Sequence, residues 1–172
     1  MTFESLGLST SLLHAIKKVG YTNPSPIQEK AIPVILDRKD VLASAQTGTG
    51  KTAGFVLPIL QILSEEKQSK RKQIRSLILT PTRELAAQIQ ENIVGYGEFL
   101  HLNSTVIFGG VKQGAQVKEL RNGVDVLVAT PGRLLDLHNQ GLLSLAYVQI
   151  FVLDEADRML DMGFLRDIKR IM

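Results

Sequence analysis

Two stretches of this sequence combine residue types that can handle a polyphosphate: Ala45-Gln46-Thr47-Gly48-Thr49-Gly50-Lys51-Thr52 and Asp154-Glu155-Ala156-Asp157. The first follows an apolar run, Val41-Leu42-Ala43-Ser44, and leads into Lys51 to Leu63, which has the length and apolar content of a helix. A glycine-rich turn between strand and helix aims successive backbone N–H groups into one concavity, and the helix start adds the positive end of its dipole. Gly48 and Gly50 permit that path. Lys51 supplies a point charge for the β- and γ-phosphates, and Thr52 a hydroxyl for Mg²⁺. The general pattern begins with Gly, and that position is Ala45 here; the plainer alternative is a strand-to-helix turn rich in small residues. In the second stretch, Phe151-Val152-Leu153 reads as a buried strand. It delivers Asp154 and Glu155 to the C-terminal edge of a sheet, where open α/β folds bind ligands. Asp154 is the candidate for Mg²⁺, through water, and Glu155 for orienting or deprotonating an attacking water. Capping of the following helix by Asp154 and Asp157 is the competing reading. Together the two stretches predict an enzyme acting on a nucleoside triphosphate with magnesium.

The elements that must position these residues alternate along the chain. Ser9 is the expected N-cap of a helix presenting Leu12, Leu13, Ile16 and Val19, ended by Gly20. A second helix starts with Ser25 as N-cap, Pro26 at the first helical position and Gln28 three residues after the cap. Strands are predicted at Val41–Ala45, Ser76–Thr80, Thr105–Phe108, Val124–Ala129 and Val148–Leu153, and helices at Lys51–Leu63, Arg83–Tyr96, Gln113–Leu120 and Gly132–His138. Mostly apolar strands separated by helices imply an α/β fold whose parallel sheet is covered on both faces. The 172 residues are one domain's worth, and a composition of 44% hydrophobic and 22% charged residues is that of an ordinary globular protein. There is no cysteine, so disulfide frameworks and thiolate metal sites are excluded. His14, His101 and His138 lack metal-ligand spacing. The start reads as free of a secretory signal and no apolar run approaches a membrane span, so the expectation is a cytoplasmic protein with no membrane partner. A net charge of +3 leans weakly toward an anionic partner, while the basic stretch from Lys67 to Arg75 reads as a solvated loop.

The spelling of the second stretch goes further. Asp-Glu-Ala-Asp, with the Ala45–Thr52 turn before it, resembles the DEAD-box family of ATP-dependent RNA helicases. That family also uses Ala at the position of Ala45. Gly20-Tyr21-Thr22-Asn23-Pro24-Ser25-Pro26-Ile27-Gln28 is similar to the family's adenine-reading Q motif, with Phe3 as the isolated aromatic upstream. Pro81-Thr82-Arg83-Glu84-Leu85-Ala86-Ala87-Gln88, Gly109-Gly110 and Thr130-Pro131-Gly132-Arg133 are similar to its RNA-binding motifs. The short N-terminus and Leu160-Asp161-Met162-Gly163-Phe164 resemble bacterial RhlE-type members. The resemblance implies a three-layer RecA-like P-loop domain over 1–172, the N-terminal one of a pair.

It also implies roles for individual residues. Gln28 would pair with the adenine edge, although a capping box with Ser25 competes for the same side chain. Tyr21 would stack on the adenine face, with Phe3 supporting the region. The two Thr-Pro pairs fall where strands end and helices begin, so N–H groups and hydroxyls face outward there; simple capping is the alternative for each. Arg83 and Arg133 add charge, and Gly109-Gly110 lets another backbone approach. Such sites on one sheet edge suit single-stranded RNA read through backbone and 2′-OH. Glu84 is expected to pair with one of the arginines.

The implied function is ATP-driven local unwinding of RNA duplexes; the alternative is an ATP-gated RNA clamp or remodelling scaffold. The family takes its arginine fingers from a second RecA-like domain, so this chain alone is expected to hydrolyse ATP poorly. In the family a strand carrying a Ser-Ala-Thr motif, the partner of Asp157, lies between the strand before the glycine-rich turn and the Asp-Glu strand. The sequence reaches Met172 without it, so the sheet is expected to be incomplete at its C-terminal end.

Overall fold

The computed structural model describes residues 1–67 and 72–172, so residues 68–71 of the basic stretch lie outside the described residues. Contacts divide the chain into two compact units, Met1–Lys67 with Glu91–Leu102 and Gln68–Gln90 with Asn103–Met172.

The first unit is helical. A short 3-10 turn at Phe3–Leu6 precedes α1 (Thr10–Lys18). Ser9 caps α1 as its type predicts: its Oγ accepts from the Leu12 N–H at 3.4 Å, while its own N–H donates to Gln61 Oε1 at 2.8 Å. In α2 (Pro26–Leu36), Ser25 is the N-cap, Pro26 opens the helix, and the Gln28 side chain reaches back to the Ser25 N–H, while the Ser25 hydroxyl has no hydrogen-bond partner among the described residues. The helix α3 (Lys51–Glu65) packs against α2 and is buried at every residue from Val56 to Leu63. A helix apolar all round must be enclosed, and its polar exception, Gln61, is the one that holds Ser9.

No strand forms at Val41–Ala45, contrary to expectation. Residues 41–46 have no regular structure, and both Val41 and Leu42 are exposed. A strand persists only where a neighbour takes its N–H and C=O groups, and this segment has no ladder partner among the described residues.

The second unit is α/β. Its strands β1 (Ser76–Leu79), β2 (Ser104–Ile107), β3 (Val126–Ala129) and β4 (Ile150–Leu153) form one parallel sheet in the order β2-β3-β1-β4. Central β1 and β3 are buried at every residue, as their unbroken apolar runs require, whereas edge strand β4 is half-buried. Helices α5 (Gly114–Asn122), α6 (Pro131–Asn139), α7 (Ala156–Asp161) and α8 (Leu165–Ile171) share a core with the sheet. Val117, Leu134, Leu137, Met159 and Ile168 pack there with Leu77, Leu79, Leu127 and Ala129. Burying each large aliphatic side chain of this set contributes about 1.5–3 kcal/mol. Helix α4 (Arg83–Tyr96) spans the range its periodicity predicts and passes from this unit into the first after Gln90.

Arg75 corrects the reading of its stretch as a solvated loop. It lies buried just before β1, donating to Asp125 Oδ1 at 2.9 Å, while the Asn103 N–H donates to Asp125 Oδ2 at 2.8 Å. A buried charge persists only when paired and hydrogen-bonded, and here the pair ties together the N-terminal ends of β1 and β3. Lys72 is exposed.

Candidate functional site

In a parallel sheet every strand ends on the same side, and the register makes that alignment tight: Leu79 pairs with Ala129 and with Leu153, and Ile107 with Ala129. Thus Gly109-Gly110, Thr130-Pro131, Pro81-Thr82 and Asp154-Glu155 emerge side by side, in that order, at the C-terminal edge. The ladder runs one residue past β1, β3 and β4. The Thr80 N–H donates to Ala129 O at 3.1 Å, Thr130 N–H to Ile107 O at 3.2 Å and Asp154 N–H to Leu79 O at 2.9 Å.

Along this edge the two Thr-Pro pairs differ. The Thr82 Oγ1 accepts from the Leu85 N–H at 3.2 Å, so it caps α4, the plainer of its two readings. Thr130 is the N-cap of α6 by backbone geometry, yet its hydroxyl makes no cap bond. Arg83 is exposed and donates from Nε to Glu84 Oε1 at 3.2 Å, so the expected Glu84 pairing is found, with Arg83 as the partner. Its own backbone and then Arg83 hold the Glu84 carboxyl below the usual carboxylate range. A cleft of about 400 Å³ opens here, lined by Pro81, Arg83, Gly109, Thr130, Gly132 and Arg133 with Asp136 and Phe164. Six of the nine residues nominated for RNA therefore share one cavity; Thr82, Gly110 and Pro131 do not line it.

At β4 the chain leaves the sheet through Asp154 and Glu155, both half-buried. Glu155 has φ 56° and is the N-cap of α7. Among the described residues the other non-glycine at positive φ, Arg38, follows the end of α2, where a left-handed residue is the ordinary way to terminate a helix. No such role explains Glu155, which starts a helix. A left-handed non-glycine residue costs roughly 1–2 kcal/mol and concentrates at functional positions. Asp157 is exposed in the first turn of α7.

In the first unit the glycine-rich turn bends through two left-handed glycines into the start of α3. Gly48 and Gly50 have φ of 83° and 82°, the Thr49 hydroxyl donates to Gln46 O at 2.6 Å, and Lys51 and Thr52 open α3 with Gly50 as its N-cap. Ala45, Gln46 and Thr47 precede it, the last two exposed. Gln28 is buried with both amide ends engaged: its Oε1 accepts from the Ser25 N–H at 3.0 Å and its Nε2 donates to Gly50 O at 3.1 Å. The capping bond is therefore present, and the same side chain ties α2 to the glycine-rich turn.

Tyr21 stacks with Phe3 at 6.2 Å between ring centroids. The Tyr21 hydroxyl lies 2.8 Å from that of Tyr96. Burial and then Tyr21 push the Tyr96 phenol well above its ordinary range.

A family model described as DEAD/DEAH box helicase matches residues 25–172. The chain belongs to the DEAD/DEAH box helicase family. It is 51% identical over 172 residues to a probable ATP-dependent RNA helicase, ddx27, of Dictyostelium discoideum, covering 99% of this chain and 22% of that protein. It is 48% identical to the ATP-dependent RNA helicase CshA of Limosilactobacillus reuteri, covering 100% of this chain and 34% of that one. Among solved structures it is similar to a hypothetical ATP-dependent RNA helicase from Sulfolobus tokodaii, at TM-score 0.86 and 39% identity over 95% of this chain and 46% of that one. The chain thus spans about a fifth of one and about a third of the other of these two curated relatives. The α/β fold with its parallel sheet is that of the RecA-like helicase domain of the DEAD/DEAH box family.

Sequence reasoning missed four residues that lie beside the nominated ones. Asp136 and Phe164 line the cleft, Gln116 bonds to Arg133, and Tyr96 bonds to Tyr21. Tyr96 completes a buried stripe with Ile89 and Ile93, so its spacing reads as core. Gln116 offers no sequence signal, since its partners become neighbours only when β2 and β3 pair. Among the described residues no group of three or more His, Cys, Asp and Glu could hold a metal ion.

Proposed function

We propose that this chain is the ATP- and RNA-binding part of an ATP-dependent RNA helicase, holding ATP and the backbone of single-stranded RNA so that hydrolysis drives local duplex unwinding. The observation that carries this reading is the alignment of Gly109-Gly110, Thr130-Pro131, Pro81-Thr82 and Asp154-Glu155 at one edge of one sheet. The names of the relatives point the same way.

In this reading the main chain of Gln46–Lys51 cradles the phosphates and Lys51 neutralises the β- and γ-phosphates. Glu155 takes the proton of the attacking water. The Thr52 hydroxyl, in the first unit, and the Asp154 carboxylate, in the second, are each an oxygen donor of the kind that Mg²⁺, a hard cation, would take. When bound, the ion spreads the charge of the transferring phosphoryl group. Gln28 selects adenine once one of its two intramolecular bonds is exchanged, and Tyr21 stacks on the base. On the RNA side, the Gly109 amide, the Thr130 hydroxyl and the Arg83 guanidinium act on phosphate and sugar, so base sequence matters little. A second RecA-like domain supplies the arginine fingers, with Asp157 in the coupling between motifs.

The test is strand displacement of a short RNA duplex by the intact protein, with ATP or GTP. ATP is expected to support displacement with a KM at least about tenfold below that of GTP, since a site that pairs with one base edge leaves its polar groups unsatisfied by another. Equal KM values would remove the role given to Gln28. ATP-dependent RNA binding without displacement would make the protein an RNA clamp instead.

A further inference from the structure

A pair of glycines at a sheet edge has no side chains to anchor it, and Gly110 sits at φ +80°. Their backbone must nevertheless hold one orientation if it is to meet a phosphate. Three hydrogen bonds supply that hold. On the N-terminal side of the pair, Gln116 Nε2 donates to Phe108 O at 3.1 Å. On the C-terminal side, Arg133 donates from one terminal nitrogen to Val111 O at 2.8 Å. The other terminal nitrogen of Arg133 donates to Gln116 Oε1 at 2.9 Å, which closes the clamp. The Arg133 Nε also lies 3.9 Å from Asp136 Oδ2, and Asp136 Oδ1 accepts from Gln140 Nε2 at 2.9 Å.

From this geometry we infer that Gln116 is a positioning residue for RNA: it fixes the Gly109 amide toward the ligand and holds the Arg133 guanidinium, without touching RNA itself. The proposal rests on the reading of this edge as an RNA site. A trans peptide sets the N–H opposite the C=O, so a Phe108 carbonyl drawn to Gln116 turns the Gly109 N–H the other way, and Gly109 lines the cleft. Gln116 is itself 9% exposed and absent from the cleft wall. Arg133, 11% exposed in its side chain, spends both terminal nitrogens within the protein and has a carboxylate beside it. Arg83, with a side chain 55% exposed, is the cleft cation that can turn toward a phosphate. The edge therefore divides its work: Arg83 supplies charge, and Gln116 with Arg133 supplies shape.

The experiment is a salt titration of fluorescent oligouridylate binding by the intact protein in the presence of a non-hydrolysable ATP analogue. Gln116→Met keeps the length of the side chain and removes both bonds. Its Kd for RNA is expected to rise about tenfold while the slope of log Kd against log salt stays that of the wild type. Arg83→Ala is expected to reduce that slope by about 0.7, the loss of one phosphate contact on a single strand. Affinity for the ATP analogue alone should be unchanged in Gln116→Met, and hydrogen exchange in 108–113 should quicken. Gln116→Glu retains the acceptor for Arg133 but cannot donate to Phe108 O, and is expected to weaken RNA binding as well. Wild-type Kd in both Gln116 variants would overturn the inference, and so would a reduced slope, which would make Gln116 a direct ligand. Parallel loss of ATP-analogue binding would reduce its role to general folding and overturn the inference equally. Failure of the unaltered protein to bind RNA would instead overturn the reading of the edge on which the inference rests.

Discussion

Replacing Glu155 with glutamine is expected to lower ATP turnover in the intact protein by about 10²–10⁴-fold, the range that a positioned general base contributes. ATP-dependent RNA binding should persist. The substitution is isosteric and leaves the left-handed backbone at this position as it is, because the strain at φ 56° is the same for Glu and Gln. What changes is the ability to accept a proton from water. The prediction separates the role of Glu155 from the capping role open to its neighbours: an amide serves a helix start as well as a carboxylate does, so a capping residue would tolerate the change. Turnover within about threefold of the wild type would exclude Glu155 from the chemistry.

A second large loss is expected from Gly50→Val: at least about a hundredfold in ATP affinity. Gly50 has φ 82°, which disfavours any side chain, and a Cβ there would collide with the Gln28 amide nitrogen and crowd Ser25 Oγ. The bond from Gln28 Nε2 to Gly50 O would break, and with it the link between α2 and the glycine-rich turn. Gly48 provides the control. Its φ is 83°, but a Cβ at that position would meet nothing within 4 Å, so Gly48→Ala encounters backbone strain alone. At roughly 1–2 kcal/mol that strain corresponds to about a tenfold loss. Titration of a fluorescent ATP analogue measures both, with circular dichroism to verify that helix content is kept. Equal effects at the two positions would show that the Gln28 contact contributes nothing.

How much of this was legible in the sequence depended on whether the signal was local. Caps and periodicities are local, and Ser9, Ser25 with Pro26, and the stripe of α4 fall as expected. The order of motifs along the chain also predicts their gathering at one edge, because parallel strands all end on the same side. Val41–Ala45 shows the limit: a run of strand-forming residues makes a strand only when a partner is present, and pairing is not written in the run itself. Arg75 shows another. Its basic neighbours suggest solvent, but Asp125, fifty positions away in the chain, takes it into the interior. Within the site, the charge of Arg133 was legible, whereas its use was not, since Gln116 and the Val111 carbonyl reach it only in the folded chain.

The central claim, that ATP hydrolysis here is coupled to RNA, is tested most directly by steady-state ATP turnover with and without single-stranded RNA. The intact protein is expected to turn over ATP at least about tenfold faster at saturating RNA, in keeping with the electrostatic gains that completed phosphoryl-transfer sites show. The 172 residues alone should stay near the RNA-free rate. A rate in the intact protein that is independent of RNA would contradict the account.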